Sequence, residues 1–200
     1  IFADNGIEVP KTYEDFLKIC ETFKSKGITP LILTDLDQWP GFHLESIWLN
    51  AYVGNRAVSD VLALKAGFDQ PDFGKALDKI YELVKNGYTN ESPNSISNDD
   101  ANKLFLSGKA AMRPTGTWEL NGFQNPDSGL GENCGFFFLP MINADLPQSA
   151  PGGLGGSFVV NAKSPNVDLA VEFLDYIFSG ERIQWWFESS LIPAVKDVNI

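Results

Sequence analysis

Cysteine and histidine are scarce in this chain, which has two Cys and one His among its 200 residues. Two cysteines are too few for a disulfide framework, and the sequence alone gives no geometry for a bridge between Cys20 and Cys134. The lone His43 has no second imidazole with which to share a zinc ion, and neither a Gly-x-Ser-x-Gly elbow nor a calcium-loop pattern occurs. We therefore predict no metal site, no cofactor and no catalytic residues.

Basic residues are also few, since 15 Lys and Arg stand against 26 Asp and Glu and give a net charge of −11. Nucleic-acid binding needs clustered basic side chains that displace counterions from the phosphates, and the sequence contains no such cluster. The same negative charge disfavours anionic membrane surfaces. We therefore predict that nucleic acid is not a partner of this chain.

Long apolar runs are absent as well, because no stretch of about 18 apolar residues occurs that could span a membrane. The chain begins at Ile1, without Met and without a signal peptide. We interpret it as a segment taken from a longer protein, so the missing signal peptide does not indicate a cytoplasmic location.

Apolar residues as a whole are plentiful, at 44% of the chain, and most of them recur with helical spacing. Short strands spread between helices predict an α/β fold, a helix-rich lobe with a small central sheet. The predicted helices cover 13–26, 42–53, 58–66, 76–86, 99–107, 115–123, 165–178 and 183–189. The predicted strands cover 28–34, 110–113, 135–139 and 157–161, and the main loops cover 68–74, 90–97 and 141–156.

Glycine is concentrated between Gly152 and Gly156, where four of five residues are glycine. The run does not match the dinucleotide-binding pattern, and it precedes a predicted strand instead of following one. Nucleotide binding is therefore rejected. A hinge, a backbone that approaches a ligand closely and a plain flexible turn all stay open for this segment.

The five tryptophans are the richer signal, because their contexts differ. Trp48 shares helical spacing with an apolar stripe and is predicted to lie in the core. In the pair at 185–186, at least one ring must face inward, and the other is free for the surface or a partner. Trp39 and Trp118 stand at a turn and at a helix start, beside Pro or Gly, where a ring is presented to a cleft.

Exposed indole rings of this kind suit a sugar, whose apolar C–H faces dock on aromatic planes while its hydroxyls need polar partners. Such partners lie near both rings in the sequence: Asp37, His43, Glu45, Glu119 and Asn121. His43 has two open interpretations, a surface histidine and a ligand contact. A glycoside hydrolase would use a carboxylate pair such as Asp37 and Glu45, but the absence of catalytic motifs leads us to predict a binding protein.

Motifs along nearly the whole chain follow the order and approximate spacing of a known family. The most specific is Phe-Leu-Ser-Gly-Lys-Ala-Ala-Met followed by Gly-Thr-Trp, at 105–118. Others are Gly-Ile-x-x-Pro-Lys-Thr-Tyr-Glu-Asp-Phe at 6–16, Gly-Ile-Thr-Pro at 27–30, Leu-Pro at 139–140 before Gly-Gly at 152–153, Ala-x-x-Phe-Leu-x-Tyr at 170–176 and Ile-Pro-Ala at 192–194. Together these segments resemble the extracellular solute-binding protein family 1, the maltose-binding-protein type.

The resemblance implies a periplasmic-binding-protein-like class II fold, whose two lobes close on a sugar and deliver it to ABC permease subunits in the membrane. It also implies an extracytoplasmic location, in the periplasm or as a cell-surface lipoprotein. Trp118 matches the family's ring-stacking aromatic, Trp39 falls near another cleft aromatic, and the Gly-Gly pair matches the crossing between lobes. The predicted ligand site therefore comprises Trp39, Trp118, Asp37, His43, Glu119, Gly152 and Gly153.

Family members are about twice as long as this chain, at roughly 400 residues. The resemblance therefore assigns residues 1–151 to the second lobe, and residues 152–200 to a crossing, strand and helix that normally pack with the first lobe. Without that lobe we expect an exposed apolar face and pairing or swapping between copies.

The cargo has an alternative within the same fold, namely a polyol, glycerol phosphate, a peptide or another small solute. A phosphate would require a cation in the cleft, and Arg113 and Arg56 are the nearest basic residues in the sequence.

Overall fold

The computed structural model describes residues 1–128, 130–152 and 156–189. Helices dominate these ranges, and two short parallel strands form the sheet, so the predicted helix-rich lobe with a small sheet is confirmed. The helices are α1 (Tyr13–Ser25), α2 (Trp39–Leu62), α3 (Pro71–Lys85), α4 (Asn98–Leu106), α5 (Leu120–Gln124), α6 (Val167–Ile177) and α7 (Ile183–Glu188), and the strands are β1 (Thr29–Leu31) and β2 (Ala110–Met112). None of the helices within these ranges has the length and apolar character needed to cross a membrane.

Helix α1 follows from local sequence rules and supplies one wall of the core. Thr12 is extended, and its Oγ1 accepts a hydrogen bond of 3.1 Å from the amide of Asp15, which satisfies a first-turn donor. Its buried face consists of Tyr13, Phe16, Ile19, Cys20 and Phe23. Burial raises the pKa of the Cys20 thiol to about 12, and neither cysteine forms a disulfide. The predicted helix is confirmed, and the Cys20 thiol on its apolar face is buried.

The two strands pair in parallel, with Thr29 opposite Ala110 and Leu31 opposite Met112. On its other side β1 makes a parallel bridge to Thr89. Parallel strands end at the same edge of their sheet, so the turn after β1 and the turn after β2 emerge side by side. Both turns carry predicted site residues.

Helix α2 is interrupted at Gly54, whose φ of 82° and ψ of 159° are essentially restricted to glycine. Just before the break, the carbonyl of Ala51 accepts hydrogen bonds from the amides of residues 142 and 143, at 2.9 and 3.2 Å. The buried Asn50 adds a bond from its Nδ2 to Ser149 Oγ at 3.2 Å. The stretch that leads to the glycine run is thereby tied to α2.

Two boundaries on this side of the molecule differ from the predictions. The loop predicted over 68–74 is wrong, because α3 begins at Pro71 and already buries Phe73. Proline is favoured in the first turn of a helix, where its missing N–H has no helical acceptor in any case. The helix predicted over 58–66 ends at Leu62, and Leu64 has a left-handed φ of 58°.

The strand predicted over 135–139 is also wrong, since the structure assigns no strand there. Phe137 and Leu139 pack against the core, whereas Phe136 and Phe138 are each 54% exposed and contact each other edge to face. A continuous apolar run predicts a strand that is covered on both faces. Only one face of this segment is covered by the described residues, so the run has no second layer to pair with.

Residues 157–161, predicted as a strand, form none either, and Val159 is 88% exposed. The helix that follows, α6, is present as predicted but buries none of its residues. Its large exposed apolar side chains are Leu169, Val171, Phe173 and Tyr176. The segment therefore has the exposed apolar face that we expect from the resemblance.

The tryptophan pair in α7 divides as predicted. The ring of Trp186 stacks on that of Phe178, with centroids 4.9 Å apart and an interplanar angle of 10°, and its Nε1 donates to the carbonyl of Ile177 at 3.0 Å. Trp185 is 58% exposed. Trp48 is 1% exposed and lies in the main core, as its spacing predicts.

Replacement of Gly54 by alanine should destabilise the fold by about 1–3 kcal/mol, because the backbone there lies in a region that an L-residue avoids. The new methyl group would also stand 3.2 Å from Leu146 Cδ1. The matched control is Gly74→Ala within α3, where a Cβ meets nothing within 4 Å and helix propensity predicts a gain of about 0.5–1 kcal/mol. Urea unfolding followed by circular dichroism measures the free energy of unfolding of both variants. Equal changes in the two would contradict the special backbone requirement at Gly54.

Candidate functional site

Three rings form the centre of the candidate site: Trp39, His43 and Trp118. The two indole centroids lie 5.9 Å apart with an interplanar angle of 68°, which is an edge-to-face contact. His43 lies one turn after Trp39 on α2, and its ring centroid is 4.9 Å from that of Trp118. Trp39 is 44% exposed and Trp118 is 47% exposed, so both indoles are open to solvent. The structure thus brings together three of the residues that the sequence predicted for one site.

The first turn of α2 presents Trp39. Gln38 precedes it with a left-handed φ of 67°, and the amide of Trp39 donates to the carbonyl of Asp37 at 2.8 Å. The amide of Gly41 donates to Asp35 Oδ1 at 2.9 Å, and the same carboxylate fills the space that a Cβ on Gly41 would need. A carboxylate at this position satisfies a free amide of the helix start and favours its dipole.

Trp118 lies in the 3-10 turn Thr117–Glu119, directly after the extended residue Gly116. A Cβ on Gly116 would overlap the six-membered part of the Trp118 ring, since Cε3, Cζ3 and Cη2 all occupy that space. The indole ring therefore packs directly against the backbone of Gly116. The Gly-Thr-Trp motif has a steric reason, because a side chain at 116 would displace the ring.

The two predicted carboxylates near the rings are both bound by α4. The amide of Asn98 donates to Asp37 Oδ2 at 2.7 Å. Asn98 Nδ2 donates to Glu119 Oε1 at 3.1 Å, and Asn102 Nδ2 donates to Glu119 Oε2 at 3.0 Å. Both oxygens of Glu119 therefore have protein partners, as does one oxygen of Asp37.

Arg113 completes this polar cluster, since its Nη2 donates to Asn98 Oδ1 at 2.6 Å. Burial lowers the pKa of its guanidinium, and the neighbouring Glu119 carboxylate acts in the opposite direction. Four buried side-chain atoms in the described ranges lack a hydrogen-bond partner, namely His43 Nε2, Asn102 Oδ1, Arg113 Nε and Arg113 Nη1. All four belong to this site, which therefore combines apolar rings with spare donors and acceptors.

Burial lowers the pKa of His43, while the backbone of Thr115 raises it by a smaller amount. The imidazole is therefore neutral at pH 7 and serves as a hydrogen-bonding and packing group. The ring is half-buried against Trp118, and both interpretations of His43, a hydrogen-bonded surface histidine and a ligand contact, stay predictions.

The other predicted site residues lie apart from these contacts. Glu45 and Asn121 are exposed to solvent. A Cβ on Gly152 would meet nothing within 4 Å, so no close packing requires glycine there. Gly153 lies outside the described residues. No three His, Cys, Asp or Glu side chains converge within the described ranges in a way that could hold a metal ion.

Sequence reasoning missed Asn98 and Asn102, and it considered Arg113 only as a phosphate ligand. The available signal was the spacing of the two asparagines, which are four residues apart and so share one face of a helix. Nothing in the sequence indicated that this face would meet the turn after Trp118.

Replacement of Gly116 by alanine should displace the Trp118 ring and change the near-UV circular dichroism spectrum. The φ of −112° and ψ of 177° at Gly116 suit any residue, so the effect must come from the ring and not from backbone strain. Gly122→Ala is the control, because a Cβ there meets nothing within 4 Å. An unchanged spectrum in Gly116→Ala would contradict the packing of the Trp118 ring against Gly116.

His43 should titrate below its pKa in the unfolded chain, which is near 6.5. The unfolded state then binds the proton more readily, so His43 contributes stability that is lost as the pH falls from about 6.5 through the folded-state pKa. Because the chain has one histidine, proton NMR reports its titration without ambiguity in buffer and in urea. Equal pKa values in the two states would contradict the prediction, and His43→Gln should remove this part of the pH dependence.

Comparison with known proteins places this chain in a family. The family model for the bacterial extracellular solute-binding proteins matches residues 1–199. The "Multiple sugar-binding protein" of Streptococcus mutans is 27% identical over 212 aligned residues, which cover 98% of this chain and 48% of that protein. An ABC transporter extracellular-binding protein of Pyrococcus horikoshii is 26% identical over 179 residues, which cover 88% of this chain and 38% of that protein.

Solved structures agree on the fold. A "Chitin oligosaccharide binding protein" superposes with a TM-score of 0.86 at 23% identity, over 99% of this chain and 51% of that one. A sugar transporter of Bacillus licheniformis in complex with stachyose superposes with a TM-score of 0.70 at 15% identity, over 96% of this chain and 51% of that one. The chain spans about half the length of these relatives, and the predicted periplasmic-binding-protein-like fold is confirmed.

The resemblance drawn from the sequence motifs is therefore confirmed at the level of the family. Members of this family are solute-binding proteins of transport systems and not enzymes, and they act outside the cytoplasm. This chain belongs to the bacterial extracellular solute-binding proteins.

Proposed function

We propose that this chain is the ligand-binding lobe of the substrate-binding component of an ABC importer, and that it binds a sugar or oligosaccharide in a cleft between two lobes. Trp118 and Trp39 stack on the apolar faces of the sugar, and polar groups around them bind its hydroxyls. The single observation that carries the proposal is the pair of solvent-exposed indoles in edge-to-face contact at 5.9 Å.

Two exposed tryptophans in contact with one another form an apolar surface that is costly to hydrate. Surfaces of this kind mark binding sites. Sugar rings offer C–H faces of matching size, and the buried Nε2 of His43, whose ring packs on Trp118, has no hydrogen-bond partner among the described residues. A ligand with many hydroxyls uses both features together. The names of the relatives, which refer to multiple sugars and to chitin oligosaccharides, support the same class of cargo.

A phosphorylated cargo is less well supported. Arg113, the basic residue of the polar cluster, already donates to Asn98 and lies close enough to Glu119 for the carboxylate to affect its pKa. Arg56 is 96% exposed and lies beyond the break in α2, 3.9 Å from Asp60. Because the Glu119 carboxylate already balances the charge of Arg113, the site favours a neutral ligand.

A hydrolytic role for Asp37 and Glu45 is also less well supported. Asp37 caps the start of α4 through Asn98, and Glu45 is exposed to solvent. Glycoside hydrolysis needs two carboxyl groups that face one bond from opposite sides. Binding without catalysis fits the family, so no residue is assigned a catalytic role.

The proposed division of the chain places residues 1–151 in the binding lobe and residues 152–200 in the crossing and its strand and helix. Hydrogen bonds from α2 to residues 142, 143 and 149 support this boundary, because they fix the chain up to the glycine run. The exposed apolar face of α6 beyond it is what a second lobe would cover. Binding then requires lobe closure, which presents the occupied protein to the permease subunits.

Trp118→Ala should weaken sugar binding at least tenfold, because it removes the stacking surface without disturbing a buried side chain. Calorimetry over a panel of oligosaccharides, performed on the complete gene product that contains this sequence, measures the effect. Trp185→Ala is the matched control, since that indole is also exposed but lies on α7. Absence of binding by the unmodified protein across the panel would refute the sugar assignment, and equal losses in both variants would refute the site.

The isolated chain of 200 residues should pair with a second copy through the apolar face of α6, as the exposed Leu169, Phe173 and Tyr176 on this face are not covered by any described residue. Light scattering should give a mass near twice that of one chain. Phe173→Glu should shift the mass toward the monomer, whereas Glu172→Gln on the same helix should not. A monomeric unmodified chain would refute the pairing.

A further inference from the structure

Asn98, the first residue of α4, is bonded to both turns that carry the site tryptophans. Its amide donates to Asp37 Oδ2 at 2.7 Å, and Asp37 stands two residues before Trp39. Its side-chain Nδ2 donates to Glu119 Oε1 at 3.1 Å, and Glu119 directly follows Trp118. One residue therefore bridges two turns that come from different strands of the sheet.

A third contact fixes which way the Asn98 carboxamide points. Its Oδ1 accepts from Arg113 Nη2 at 2.6 Å. A guanidinium can only donate and a carboxylate can only accept, so a side chain between Arg113 and Glu119 must offer one acceptor and one donor. Asparagine has both at this length. Charge-assisted bonds of this kind are short and directional, which suits them to hold a turn in place.

The helix itself does not need this side chain. Ser97 caps α4, because its Oγ accepts from the amide of Asp100 at 3.1 Å and donates to Asp100 Oδ2 at 2.8 Å. Asn102, one turn further along α4, holds the second oxygen of Glu119 at 3.0 Å. Both asparagines on this face of α4 thus donate hydrogen bonds to Glu119.

We propose that Asn98 is a positioning residue that fixes the separation and angle of the Trp39 and Trp118 rings and does so without touching the ligand. Its effect on affinity rests on the proposed function, since the two rings must be the sugar-stacking surface. Its effect on the geometry of the rings is independent of any ligand.

The test variant is Asn98→Asp, which keeps the shape of the side chain. It retains an acceptor for Arg113, and an acidic residue in the first turn of a helix is favourable, so the variant should fold. It also places a carboxylate against Glu119 and replaces a hydrogen bond by repulsion. We expect a changed near-UV circular dichroism spectrum in the free protein and an affinity for the best-binding oligosaccharide that is lower by tenfold or more.

A second change should reverse the first. In the double variant Asn98→Asp with Glu119→Gln, the amide introduced at 119 can donate to the carboxylate introduced at 98, and its carbonyl can still accept from Asn102. The spectrum should return to that of the unmodified protein. The affinity of the double variant should return to that of the unmodified protein, whereas Glu119→Gln alone should stay weaker, because its single carbonyl cannot accept from both Asn98 and Asn102.

Asn55→Asp is the control for the change in charge, because Asn55 is exposed and its backbone carbonyl accepts from Ser59 Oγ, a bond that the substitution leaves in place. It should leave both the spectrum and the affinity unaltered. Trp39→Phe and Trp118→Phe supply reference spectra that identify the contribution of the two rings.

An Asn98→Asp variant with the spectrum and affinity of the unmodified protein would overturn the proposal. A changed spectrum that the double variant does not restore would also overturn it, because the effect would then not pass through Glu119. If the unmodified protein bound no sugar, the proposed function would fail while the spectra alone still decided the positioning role.

Discussion

The parallel pairing of β1 with β2 is the constraint on which the site depends. Its register sets Leu31 opposite Met112, so the chain leaves both strands at one edge of the sheet. From that edge one turn leads to Trp39 and the other to Trp118. A slip of this register would move one turn relative to the other and reverse the faces on which the strand side chains lie. The indole contact is therefore a consequence of backbone pairing in the core.

Around this edge the molecule separates two kinds of interaction. The apolar rings stay open to solvent, while the charged groups beside them are hydrogen-bonded to Asn98 and Asn102 of α4. A carboxylate with both oxygens occupied, such as that of Glu119, contributes more to the arrangement of the protein than to a ligand. This distribution leaves the two indoles as an exposed apolar surface in a chain that carries a net charge of −11.

The main elements were predictable where the physical cause is local. Thr12 caps α1 through a residue three positions away, Gly54 breaks α2 through its own backbone angles, and Trp48 is buried through the spacing of its neighbours. The strand predicted over 135–139 failed for the opposite reason. A strand exists only when another strand pairs with it, and an apolar run such as this one carries no information about whether its partner is present.

Of the site, the sequence determined the residue types and the glycine next to the Trp118 turn, because these are properties of a few adjacent residues. It predicted a turn at Trp39 and a helix from residue 42, whereas α2 begins at Trp39. The family motif could therefore single out Trp118 from five tryptophans. Only the tertiary structure decided that His43 packs on that ring and that Asn98 ties its turn to the other one. These contacts join residues far apart in the chain, and which of them meet depends on strand register and helix packing, which no short stretch of sequence specifies.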